Sequence, residues 1–61
     1  MKKLENLKER RMLRGLTQRQ LAEKIGTKQS NISDYERLKV APMPHVVKRI
    51  AKALRCAAGA L

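Results

Sequence analysis

Between Leu16 and Gly26 the chain carries the start and stop signals of one short helix. Thr17 is a strong N-cap, and Gln20 stands three residues later, where its side chain can reach back to the N–H of the cap. Leu16 and Leu21 occupy the hydrophobic-staple positions around that cap. Leu21, Ala22 and Ile25 then recur at the offsets of one helical face. Gly26 breaks the run, and glycine enters the left-handed region cheaply because it has no Cβ. Thr27 is expected to cap a second helix that extends to about Arg37, with Ile32 and Tyr35 turned inward. The stretch therefore predicts two short amphipathic helices joined by a tight turn.

The rest of the chain bounds what this pair can belong to. At 61 residues it has length for one small domain, 1–61, and so short a chain buries only about 60% of its unfolded surface. The single Cys56 excludes an intramolecular disulfide and fits a reducing compartment, and with one histidine, His45, there is no zinc-ligand spacing. Stability is expected from helix packing, helped by dimerisation. The segment Met1–Glu9 lacks the apolar core of a signal peptide, and no apolar run is long enough to span a membrane. A soluble, cytoplasmic protein is the expectation.

Fifteen Lys and Arg stand against five Asp and Glu, a formal charge of +10, and the isoelectric point is near 10.8. Such an excess favours phosphate-rich partners through counterion release; the plainer reading is a solubilising surface. Tyr35 is the sole aromatic residue, which argues against the base-stacking platforms that bind single strands and RNA loops. No segment alternates in the manner of a strand. The fold class is all-α: a compact four- to five-helix domain. The first helix is expected over about residues 2–14, with Leu4, Leu7 and Arg11 along one side and Gly15 ending it. Residues 38–43 form a loop. Pro44 suits the first position of a fourth helix, and Val47, Ile50, Ala51 and Leu54 follow at its apolar spacing. The tail from Cys56 to Leu61 has room for one more turn.

At 100° per residue, Ser30, Ser33, Asp34 and Arg37 gather opposite Ile32 and Tyr35, with Gln29 on the flank. That outer face has no large apolar residue. A helix-turn-helix holds its second helix proud of the body so that it enters the major groove, while the first crosses the backbone. The small Ala22, the turn at Gly26 and the anchors Leu21, Ile25, Ile32 and Tyr35 meet those requirements.

With those residues in place, the chain from about Leu7 to Leu61 resembles the Cro and phage-repressor family of helix-turn-helix domains. The matching stretches are Gly15–Gly26, Gln29-Ser-Asn-Ile-Ser, Tyr35-Glu-Arg, Pro42 and Ile50–Leu54. The resemblance implies a lambda-repressor-like fold with helix-turn-helix at the second and third helices, operator binding and often a homodimer. It assigns Gln18 to a phosphate, and Gln29 to adenine, whose N6/N7 edge suits a bidentate amide. Lys28, Ser30 and Ser33 are further base-contact candidates. Asp34 is the unusual one: phosphates repel it, but it can accept from cytosine N4, so it reads as a discriminator. Arg37 stands where the family touches backbone, and Arg19 and Lys39 are grouped with it. The resemblance also pairs Arg11 with Glu36, which lies about 40° from Ile32 around its helix, as a partly buried structural ion pair. Three positions depart from the pattern: Leu38 and Arg55 replace common glycines, and Pro44 replaces an apolar residue.

Other candidates read as structural. His45 is expected at the surface and Cys56 as apolar filler. Lys2 and Lys3 are either a solvated end or a weak phosphate contact. Met12, Leu13 and Met43 belong to the core or to a subunit interface. No nucleophile–base pair or metal cluster supports catalysis, and no cofactor is implied. The leading expectation is a transcriptional regulator, bacterial or phage-encoded, bound to double-stranded DNA as a homodimer. The alternatives are the antitoxin of a toxin–antitoxin pair, with a toxin as partner, and a protein-interaction module whose charge is incidental. A membrane-active cationic helix is disfavoured, because Gly26 and the caps specify a globule.

Overall fold

The computed structural model describes residues 3–61. The four helices are α1 (Leu7–Leu13), α2 (Gln18–Ile25), α3 (Gln29–Glu36) and α4 (Pro44–Leu54), followed by a 3-10 turn at Ala58–Ala60. Among the described residues there is no strand. The arrangement is the helix-turn-helix pair α2–α3, packed on itself and roofed by α4, with α1 closing against α3.

Local chemistry accounts for where α2 begins. Thr17 Oγ1 accepts from the Gln20 N–H at 3.0 Å, and Gln20 Oε1 accepts from the Thr17 N–H at 2.8 Å. This reciprocal box satisfies two donors that a helix start would leave open. Pro44 takes the first turn of α4, where its missing N–H costs nothing.

All four helices end alike. After each, one residue turns left-handed and the next N–H bonds the carbonyl five residues back: Leu16 to Arg11, Thr27 to Ala22, Lys39 to Asp34 and Cys56 to Ala51. This is the Schellman closure. Gly15 (φ 66°) and Gly26 (φ 76°) suit it, but Leu38 (φ 60°) and Arg55 (φ 52°) adopt it with a Cβ. A left-handed L-residue costs about 1–2 kcal/mol, offset in part by the about 0.4–1 kcal/mol of chain entropy that glycine would add to the unfolded state. Arg55→Gly, at an exposed side chain, is therefore expected to stabilise the fold by about 0.5–1 kcal/mol. A rise in the urea midpoint at constant m-value checks it.

The core consists of Leu4, Leu7, Leu21, Ala22, Ile25, Ile32, Ile50, Ala51, Leu54 and Leu61, with Leu16, Tyr35, Val46, Val47, Ala53 and Cys56 packed around it. Leu61 reaches this core through its side chain, and its carbonyl accepts from the Asn6 N–H at 3.4 Å.

Several expectations are corrected here. The first helix begins at Leu7 rather than near residue 2, because the Asn6 N–H is engaged by Leu61 and residues 3–6 form a turn that drops Leu4 into the core. Lys2 lies outside the described residues. Thr27 does not cap α3. Lys28 takes the N-cap position without a side-chain bond, and the Thr27 hydroxyl instead accepts from Asn31 Nδ2 at 2.7 Å. Met12, Leu13 and Met43 are 61%, 70% and 52% exposed, so none belongs to the core. In α1 the inward side is taken by Leu7 and Arg11, which leaves Met12 and Leu13 on the outside.

Candidate nucleic-acid interface

The centre of the site is a charged cluster at the join of α1, α2 and α3. Arg11 Nε donates to Glu36 Oε2 at 2.6 Å and Nη2 to Oε1 at 3.2 Å, while Nη1 donates to the Leu16 carbonyl at 2.6 Å. Gln18 Nε2 adds a fourth bond, to Glu36 Oε1 at 3.1 Å. The two ionised side chains are only 10% and 4% exposed. Two charges withdrawn this far from water are tolerable because the fork is bidentate and its spare donor is satisfied. The cluster ties the end of α3 to α1 and to the start of α2, and so sets how α3 projects.

That projection exposes the first turn of α3. Lys28, Gln29, Ser30 and Asn31 are all exposed, and Ser33 and Asp34 are half-buried farther along. Lys28 provides no side-chain cap, so the Gln29 and Ser30 N–H groups at the start of α3 have no acceptor among the described residues, at the positive end of the helix dipole. Gln18 opens α2 beside the same region, its amide held by Glu36. Arg19 is exposed and pairs with Glu23 at 3.5 Å, an i,i+4 contact loose enough to release the guanidinium at little cost. Arg37 follows α3 as its C-cap and Lys39 lies two residues beyond, both exposed. Lys28, Gln29, Ser30, Arg19, Arg37 and Lys39 are thus exposed, while Gln18, Ser33 and Asp34 are half-buried.

One residue of this surface escaped the sequence reading. Asn31 lies about 100° from Ile32 around α3, so it fell between the inward and outward sets. Its amide braces the turn through Thr27. The signal was its four-residue spacing from Thr27, which places both side chains at the helix start.

A family model described as helix-turn-helix matches residues 7–61. The chain belongs to the Cro/C1-type helix-turn-helix family. No curated protein and no solved structure gives a significant match. As a helix-turn-helix domain it is a DNA-binding module of the kind used in transcription regulation. The two elements that give the family its name are α2 and α3, and α1 and α4 complete their packing. Among the described residues no helix is long and apolar enough to cross a membrane.

Proposed function

We propose that this helix-turn-helix domain is a sequence-specific, repressor-like regulator that lays α3 in the major groove of double-stranded DNA. The observation that carries the reading is the exposed polar start of α3, which no protein side chain caps and which the Arg11–Glu36 cluster holds out from the core. In this role Lys28, Gln29 and Ser30 meet base edges first, and Ser33 and Asp34 read deeper in the site. Gln29 is assigned to adenine by its bidentate amide. Gln18, Arg19, Arg37 and Lys39 clamp the backbone. Gln18 sits beside free N–H groups at the start of α2, a position that suits a phosphate. Residues 1–61 act as one domain, and a homodimer would set two copies of α3 about 34 Å apart on a pseudo-palindrome.

The experiment is a salt titration of duplex binding by the wild-type chain and Arg37→Ala. The wild type is expected to weaken linearly with log salt, and the variant to bind all duplexes less well with a slope smaller by about one phosphate contact. A slope indifferent to Arg37 would remove it from the interface.

A further inference from the structure

The reading surface uses one flank of α2, and the opposite flank borders a second basic surface. Gln18 and Lys24 lie about 60° on either side of Leu21 around the helix. Gln18 accordingly meets α3 through Glu36, whereas Lys24 turns towards α4. There it lines a cleft of about 510 Å³ with Ile25, Arg49, Lys52, Ala53 and Arg55. A hollow of about 250 Å³ adjoins it, sharing Lys24, Ala53 and Arg55 and adding Arg14 and Leu16. The two form one trough with five cations on its walls and no carboxylate.

These charges are not used up by the fold. Arg14 is committed to the end of α4, donating to the Leu54 carbonyl at 2.8 Å and the Arg55 carbonyl at 3.4 Å. The other four make no side-chain hydrogen bond or ion pair among the described residues. Like charges along a concave wall focus a positive potential. On the floor between them lie the half-buried apolar side chains of Ala53 and Leu16, with Ile25 buried beneath in the core. A duplex backbone offers a regular line of phosphates and only the carbons of its deoxyribose rings for that floor. A peptide with carboxylates around one aliphatic side chain matches both parts.

We propose that the α2–α4 trough docks an acidic peptide segment of a partner protein, its aliphatic residue over Ala53 and Leu16 and its carboxylates on Lys24, Arg49, Lys52 and Arg55. Because α3 lies on the other flank of α2, the docked peptide leaves the DNA-reading surface open.

The test uses the full chain and a fluorescein-labelled probe peptide, Glu-Glu-Leu-Glu-Glu between Gly-Ser ends, followed by anisotropy at about 0.15 M salt. Saturable one-to-one binding is expected, weakened at least about fivefold when the probe leucine becomes serine. The triple variant Lys24→Gln/Arg49→Gln/Lys52→Gln is expected to lose at least about tenfold. Lys3→Gln/Lys8→Gln/Arg10→Gln, which removes equal charge from exposed positions near α1, should stay within about twofold. Circular dichroism confirms that both variants are folded. No saturable binding, equal losses in the two variants, or indifference to the probe leucine would overturn the proposal. So would a selective loss of duplex binding in the trough variant with peptide binding intact, which would make the trough a phosphate contact. Duplex binding by the wild type, titrated in parallel, reports separately on the DNA-binding reading.

Discussion

Arg11→Ala is expected to destabilise the domain by about 3–5 kcal/mol, the usual cost of stranding one member of a buried ion pair. A chain of 61 residues has only about 3–9 kcal/mol of total stability, so the loss takes at least about a third of that margin and at the upper end all of it. The loss has two parts. The Glu36 carboxylate, 4% exposed, would keep only the Gln18 amide, and the Leu16 carbonyl would lose its side-chain donor. Replacing both charges by apolar residues of similar size, Arg11→Met with Glu36→Leu, should recover most of the loss, because nothing charged is then left buried. Urea unfolding of the single and double variants measures the difference. A cost below about 1 kcal/mol for Arg11→Ala would place the pair among ordinary surface contacts.

Gln29→Ala is expected to act on binding and leave folding alone. The side chain is exposed and makes no hydrogen bond to the protein among the described residues, so stability should move by less than about 0.5 kcal/mol. Loss of a bidentate amide–adenine contact should cost about 1–3 kcal/mol on the preferred duplex, roughly five- to 150-fold in affinity. Random duplexes should bind as before, since they never offered that contact. An equal loss on both kinds of duplex would turn Gln29 into a backbone contact.

How much of this was legible in the sequence depends on the range of the interaction involved. The start of α2 is a local bargain between Thr17 and Gln20, and its end is marked by Gly26, so both were readable. The start of α1 was not, because a contact between Asn6 and Leu61 decides it. Thr27 looked like a cap by residue type. Its N–H closes α2 on Ala22 while its hydroxyl accepts from Asn31, which leaves α3 to begin without it. The ends of α3 and α4 repeat the left-handed closure of Gly15 and Gly26 at Leu38 and Arg55. No glycine announces them, and only the departure from a familiar pattern drew notice to those positions. For Met12 and Leu13, apolar type alone left core and subunit interface open; the core is excluded because Arg11 holds the inward position beside them. The α2–α4 trough depends on which helix faces which, and helical periodicity does not determine that.

Selection of bound sites from a random duplex pool shows whether α3 reads a sequence in duplex DNA. Enrichment of one short motif is expected, repeated as a pseudo-palindrome with half-sites about one helical turn apart, and the Gln29→Ala selection should lose preference at one base pair in each half-site. A recovered pool with no motif, bound through charge alone, would contradict sequence reading by α3.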